Sequence, residues 1–405
     1  MVKGKKVVLG ITGGIAAYKA AEFVRLLVKE EVDVHVVMTE NAQKFITPLT
    51  FQTLSGNSVV IDPFTLLEDA SIGHIALADL AELVVLLPAT ANIIGKIANG
   101  IADDFLSTMV MATRAPVLFV PSMNVNMWEN KALQKNIQTL LEIGYHFLEP
   151  GEGELACHWY GKGRLPALND VVEGMEDILS QKDLTGERIL ITGGPTQEPI
   201  DPVRFITNRS SGKMGYALAK MARRRGAEVT MVTGPTSLPL PRKDIQLVPV
   251  RSAEEMRKAV LKHLEGSSIV IKAAAVSDYR PKTVSDTKIK KGHFDTTLVL
   301  ERTKDILEEL GRKKGNRILI GFAAETEDLI ANAQKKLREK HLDFIVVNDV
   351  TQPGAGFALD TNQVKIVYPS GMVRDLPLMS KEEVSQIILD NAVKLLKQKR
   401  GSKKK

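Results

Sequence analysis

The stretch KKVVLGITGGIAAYKAAEFVRLLVKEEVDVHVVMT, residues 5–39, spells out one complete unit of an α/β sheet. Val7, Val8 and Ile11 are β-branched within an apolar run, as suits a buried strand. Gly13 and Gly14 then open a turn, after which Ala17, Ala20, Ala21, Val24, Leu27 and Val28 recur at helical spacing. DVHVVMT, residues 33–39, alternates again as a second strand. The same opening returns in ERILITGGPTQEP, residues 187–199, and SSGKMGYALAKMARRRGAEVTMVTGP, residues 210–235. There a loop, PTQEPIDPVRFITNRS, separates the glycine turn from its helix. Further apolar runs follow each opening: LVVLLPAT and PVLFVPS in the first half, SIVIKAAAV, RILIGFAAET and FIVVND in the second. Strands alternating with helices predict two Rossmann-like, doubly wound α/β domains with ligands beyond the carboxyl ends of the strands. The polar link ILSQKDLTGERILITGG, residues 178–194, sets the boundary, giving domains 1–184 and 185–405.

Length and composition agree with two soluble domains. A chain of 405 residues exceeds what one core supports, and 44% hydrophobic with 25% charged residues is ordinary for a globular protein. The single cysteine, Cys157, rules out an intrachain disulfide and any CxxC-type metal site. The apolar run after the basic N-terminus is short and broken by glycine, unlike a signal peptide. No run approaches the ~20 apolar residues that span a bilayer, so a cytoplasmic protein with no membrane partner is expected. Charge divides unevenly: residues 1–184 carry 14 Lys and Arg against 22 Asp and Glu, residues 185–405 carry 40 against 26. The basic second half is a candidate for a polyanionic ligand, although part of its excess lies in the tail LLKQKRGSKKK, which reads as a solvated terminus. With 5% aromatic residues and no recognition helix, a nucleic-acid partner is not expected.

The first turn, Gly10 to Ile15, is not GxGxxG, and Glu40 after the second strand is no more than a surface carboxylate. Backbone amides at such a turn suit a mononucleotide phosphate better than a dinucleotide, or serve only a tight turn. SIGHIALAD carries His74, PATANIIGKIANGIADDFLST carries Asn92, PSMNVNMW carries Asn124, and GELACHWYGKGRL carries Cys157 between glycines. Each alone has a structural reading: His74 as a satisfied cap or core residue, Asn124 or Asn126 as a helix cap.

Together and in this order, these segments resemble the flavin-dependent cysteine decarboxylases, in particular the phosphopantothenoylcysteine decarboxylase half of the bifunctional enzymes of coenzyme A biosynthesis. The resemblance implies a flavodoxin-like fold holding FMN through Gly13, Ile15, Ala16, Thr39, Thr90, Asn92, Ser107 and Thr108. It implies that FMN oxidises the thiol end of 4'-phospho-N-pantothenoylcysteine to a thioaldehyde, which acts as an electron sink for loss of CO2. The resulting enethiolate is then reduced to 4'-phosphopantetheine. His74 is the implied catalytic histidine, Asn124 holds the substrate carboxylate with a neutral amide, and Cys157 donates the proton during reduction. The chain departs from the family where His158, Trp159 and Tyr160 follow the cysteine in place of a glycine. That change predicts an altered flap backbone, aromatic cover for the substrate, or a perturbed thiol. A flavoprotein that binds a partner without catalysis would lack His74, Asn124 or Cys157, and all three are present.

The second half resembles the phosphopantothenate–cysteine ligase of the same bifunctional family, through KAAAVSDYRP, TKIKKG, ERTKDIL, GFAAET, KKLREKHLDFIVVND and the closing VVNDVTQPGAGFALDTN. The resemblance implies binding of CTP by Asp278, Lys288, Thr303, Lys304, Asp305, Ile306, Phe322, Lys336 and Lys340, with Mg2+ or Mn2+ at Asp278. TKDI stands where the family commonly has NPDI. Arg204, Asn208, Ser211 and Gly212 lie in a polar loop that could cradle the substrate phosphate, although SSGKMG is not a Walker A loop. The implied reaction joins the carboxylate of 4'-phosphopantothenate to CTP as an acyl-cytidylate, which cysteine then attacks to release CMP. Asn208 serves the intermediate and Lys288 the turnover in this reading. The family resemblance further implies a homo-oligomer with trimers built by the flavin domain and dimers by the ligase domain, compatible with a dodecamer.

Overall fold

The computed structural model describes residues 2–62, 73–156, 158–242, 244–290, 297–325, 328–349, 356 and 359–401. The chain divides into two compact units, Met1–Ser180 and Gln181–Lys405.

In the first unit the helices are α1 (Ala17–Lys29), α2 (Pro48–Ser55), α3 (Gly73–Leu80), α4 (Ala91–Ala98), α5 (Phe105–Ala112), α6 (Val125–Trp128), α7 (Lys131–Glu142) and α8 (Leu168–Leu179). The strands β1 (Lys6–Ile11), β2 (Asp33–Met38), β3 (Leu83–Ala89), β4 (Val117–Pro121) and β5 (His146–Phe147) form one parallel sheet in the order β2-β1-β3-β4-β5. Strand alternation sends Val7, Leu9 and Ile11 to one face, against Phe23 and Leu27 of α1 and Val171 and Met175 of α8. Val8, Val84 and Leu86 face the other way, onto Phe105 and Met109 of α5 and Ile137 of α7. A hairpin of β6 (Gly151–Glu154) and β7 (Tyr160–Arg164) follows the sheet. This is the flavodoxin-like order, with its switch point between β1 and β3, where the crevice beyond the strand ends accepts a ligand.

In the second unit the main sheet contains β8 (Arg188–Gly193), β11 (Glu228–Thr233), β12 (Gln246–Pro249), β13 (Ile269–Lys272), β16 (Ile318–Glu325), β17 (Phe344–Asp349), β19 (Val364–Val367) and β20 (Val373–Asp375). Its spatial order is β12-β11-β8-β13-β16-β17-β19-β20. The first six strands run parallel, β19 pairs antiparallel with β17 and β20 antiparallel with β19, so the parallel part has the doubly wound dinucleotide-fold order with its switch between β8 and β13. Short pairs lie outside the sheet: β9 (Gln197–Pro199) with β10 (Phe205–Thr207), β14 (Tyr279–Pro281) with β15 (Leu300–Arg302), and β18 (Thr361–Asn362) with β21 (Met379–Ser380). The helices are α9 (Lys213–Arg224), α10 (Ala253–Leu264), α11 (Ile306–Arg312), α12 (Leu329–Glu339) and α13 (Lys381–Gly401). Ile191, Ile271 and Ile320 pack on α9 and α13, while Leu190, Val270 and Leu319 pack on α10, α11 and α12. Helices on both faces explain why these strands are apolar throughout rather than alternating.

Candidate active sites

The first site begins where β1 stops. Thr12 is buried, and its hydroxyl donates to the Pro88 carbonyl at 2.6 Å and accepts from the Thr90 amide at 3.2 Å. That pair ties the ends of β1 and β3 together at the switch point. Gly13 packs so tightly that a Cβ there would lie 2.6 Å from Asn41 Cβ, so no other residue fits the turn. At the start of α1 no side chain caps the helix, which leaves the amide end and its partial positive charge for a ligand. Thr90, by contrast, caps α4 by accepting from the Ile93 amide at 3.5 Å.

Asn124 caps α6, its Oδ1 accepting from the Asn126 amide at 2.9 Å, which fixes the orientation of the carboxamide. The hairpin lies directly on this loop. Met123 N–H donates to the Gly163 carbonyl at 2.9 Å, and a Cβ at Gly163 would lie 2.2 Å from the Met123 carbonyl oxygen. The result is a cavity of about 760 Å³ lined by Gly13, Ile15, Ala16, Thr90, Asn124 and Arg164, among others. His158 also lines it, with φ at +61°, the left-handed region where glycine is at ease. The histidine therefore occupies a glycine-type position, and it pairs with Glu154 at 3.2 Å on the exposed surface. Trp159 and Tyr160, expected as possible cover, are 50% and 75% exposed and do not line this wall. Cys157 lies outside the described residues.

Other expected flavin contacts have visible local duties. Thr39 donates its hydroxyl to the Ile11 carbonyl at 3.4 Å, and Asn92 is exposed on α4. Ser107 is buried, donating to the Asp104 carboxylate at 2.8 Å in a capping box that starts α5, and Thr108 donates to the Asp104 carbonyl at 2.7 Å. Burial works to raise the Asp104 carboxyl, but bonds from Ser107 and Lys96 outweigh it and hold it below the ordinary carboxylate range. These four residues and His74 are not on the cavity wall. His74 sits in the first turn of α3, edge-on to Phe105 with centroids 6.2 Å apart. Its Nδ1 is buried and has no hydrogen-bond partner among the described residues.

The second site lies at the β8/β13 switch. Gly212, with φ at +82°, starts α9, and a Cβ at Gly215 would sit 2.8 Å from the Gly193 Cα. Helix and strand end thus meet backbone to backbone. A cavity of about 380 Å³ opens there, lined by Asn208, Gly212, Asp278, Phe322 and Lys336 of the expected residues. Asn208 donates its amide to the Ala275 and Val276 carbonyls at 3.2 and 3.1 Å, pinning the loop to the end of β13. Thr303 donates its hydroxyl to the Ser277 carbonyl at 2.7 Å, joining the TKDI and SDYRP segments. Asp305 caps α11 and accepts from Lys340 Nζ at 2.6 Å; burial raises its carboxyl, but Lys340 and the capping amides prevail and hold it low.

The remaining expected residues are placed elsewhere. Arg204 grips Asp201, its Nε at 3.0 Å, and donates to the Ile289 carbonyl at 2.7 Å beside Lys288, which is exposed. Arg204 keeps the Asp201 carboxyl far below its ordinary range. Lys304 is exposed, Ile306 belongs to the buried core beneath α11, and Ser211 accepts at its carbonyl from the Thr236 hydroxyl at 3.0 Å. The same wall contains residues the sequence did not single out: Lys272, Asn348, Asn362 and Lys381. Asn348 Oδ1 is buried without a partner among the described residues, and burial brings Lys381 down to about 8. Thr12 is the corresponding omission in the first site; its signal was a hydroxyl between a strand and a glycine pair. Among the described residues no group of three His, Cys, Asp or Glu side chains could hold a metal ion. No helix among them is long and apolar enough to cross a membrane.

Comparison with known proteins fits both sites into one chain. The flavoprotein family matches residues 1–180, and the DNA/pantothenate metabolism flavoprotein C-terminal domain matches residues 184–396. The coenzyme A biosynthesis bifunctional protein CoaBC of Bacillus subtilis is 50% identical over 401 residues, covering 98% of this chain and 99% of the relative. Its namesake from Vibrio cholerae is 46% identical over 392 residues, covering 95% and 97%. That from Escherichia coli K12 is 44% identical over 398 residues, covering 96% and 97%. With such identity sustained over nearly its whole length, the chain belongs to the family of bifunctional coenzyme A biosynthesis enzymes, which unite a flavoprotein decarboxylase and a ligase.

Proposed function

We propose that residues 1–184 hold FMN and decarboxylate 4'-phospho-N-pantothenoylcysteine, and that residues 185–405 make that compound from 4'-phosphopantothenate, cysteine and CTP. The observation that carries this reading is the meeting of the glycine turn, Thr90, Asn124 and the hairpin on one cavity of about 760 Å³. Its size suits a cofactor with a substrate beside it. FMN fits the donor set: the uncapped amide end of α1 and the Gly13 turn would take its phosphate, with Ile15, Ala16 and Thr90 beside it. Thr39, Asn92, Ser107 and Thr108 stand off this wall and belong to the proposed flavin-contacting set through the family resemblance alone. When bound, FMN supplies the two-electron oxidation of the substrate thiol and the later return of those electrons.

The chain's own residues orient the substrate and move protons. Asn124 would meet the carboxylate as a neutral donor, so it orients the group without stabilising its charge against loss of CO2. Arg164 lines the same wall and supplies positive charge at the hairpin. His74 has a buried ring nitrogen ready for a partner, in keeping with a proton-handling role, and Cys157 would deliver the proton that completes reduction.

In the second cavity Gly212 and the amide end of α9 would take the phosphate of 4'-phosphopantothenate, aided by Arg204 and Ser211, with Asn208 beside the reacting carboxyl. Phe322 and Lys336 line this wall and would serve CTP, joined from beyond it by Lys288, Thr303, Lys304, Asp305 and Lys340, while the buried Ile306 would offer only its backbone. Asp278 would share a Mg2+ or Mn2+ with the nucleotide, since such ions use one or two carboxylates together with substrate phosphates. Holding and neutralising charge is most of what this transfer requires. The purified chain, given 4'-phosphopantothenate, cysteine, CTP and Mg2+, should be yellow and release CMP and CO2. Absence of both products would sink the assignment.

A further inference from the structure

Lys272 ends β13, the strand at the switch point of the second sheet. Two residues earlier on the same face, Val270 packs into the core beneath α10, α11 and α12. Lys272 instead lines the second cavity, together with Lys336 and Asp278, and next to the small side chains Ala273, Ala274 and Ala275. Asp305 and Asp278 attract it through space while Lys336 and Lys340 repel it. Asp305 is already committed to Lys340, at 2.6 Å, and to the amides of α11. Among the described residues Lys272 has no hydrogen bond or ion pair of its own. Burial, its largest influence, pushes the ammonium down to about 8. Lys272 is half-buried, and an ammonium partly withdrawn from water with no counter-ion of its own adds little to the fold, so an apolar side chain of similar length serves stability as well or better. An anion entering the cavity supplies the missing counter-ion.

We propose that Lys272 is a further nucleotide-binding residue of the ligase site, contacting the polyphosphate of CTP beside Lys336. The inference rests on the reading of the second cavity as a CTP-dependent ligase. Its position on the α11 and α12 side, where Asp305, Lys336 and Lys340 gather, favours the nucleotide over the phosphate of 4'-phosphopantothenate.

The test is Lys272→Met in the full-length chain, with KM measured separately for CTP, 4'-phosphopantothenate and cysteine, and Tm measured without ligands. KM for CTP should rise about ten- to a hundredfold, as expected for loss of one charged contact, while KM for cysteine stays unchanged. The unliganded Tm should hold or rise, which separates a binding residue from a structural one. An unchanged KM for CTP, or a shift confined to 4'-phosphopantothenate, overturns the proposal and leaves the ligase reading standing. No CMP from the unaltered chain overturns both.

Discussion

The cavity of the first unit is walled mostly by a glycine turn, the uncapped end of α1, a threonine and a neutral amide, with Lys19, Arg164 and Glu154 among its charged members, whereas that of the second gathers five cations, Arg209, Lys213, Lys272, Lys336 and Lys381, with Asp278. Both sit at the switch point of a doubly wound sheet, so the fold does not account for the difference. The chemistry does. Decarboxylation needs a substrate carboxylate held without a strong counter-charge, because charge pinned there opposes its departure. The proposed CTP-dependent ligation needs concentrated positive charge, because a triphosphate would be bound and split. The uneven division of charge along the sequence is the same contrast at lower resolution.

Three substitutions test whether the two cavities differ in this way. Asn124→Asp keeps the cap on α6, since aspartate caps as well as asparagine, but sets a negative charge against the substrate carboxylate. The kcat for CO2 release should fall about a hundredfold or more while CMP formation is unchanged. A parallel loss of CMP would mean that the two cavities do not work separately. Gly163→Ala forces a Cβ to within 2.2 Å of the Met123 carbonyl, at a φ of +147°. It should destabilise the first unit by about 3 kcal/mol and weaken flavin retention, read by thermal denaturation and by absorbance after gel filtration. His158→Gly should have the smallest effect. It relieves the left-handed backbone and gives up an exposed pair with Glu154 and one side chain at the cavity rim, so stability should rise by about 1 kcal/mol with decarboxylation largely kept.

Much of this was legible before any coordinates. Val7–Val8–Leu9, the glycine pair and the alanine-rich helix announce a strand, turn and helix through local periodicity, and the repeat at residue 187 announces a second sheet. Asn124 was legible both as a cap and as a site residue, and it lines the cavity while capping α6. Lys272 was not, because LysAlaAlaAlaVal reads as the end of a strand and only the folded neighbours Asp305, Lys336 and Lys340 give the ammonium a context. Lys381 begins a helix more than a hundred residues from Lys272 in sequence, yet both line the same wall. Ile306 and Ser107 show the converse: motif position alone does not reveal that one side chain enters the core and the other closes a helix cap.

We propose that the two chemistries carried by this chain run independently on their shared compound. The most direct measurement supplies 4'-phospho-N-pantothenoylcysteine to the full-length protein without CTP, and follows CO2 and 4'-phosphopantetheine. Both products are expected at the rate seen with CTP present. No CO2 release, or release that depends on CTP, would contradict it.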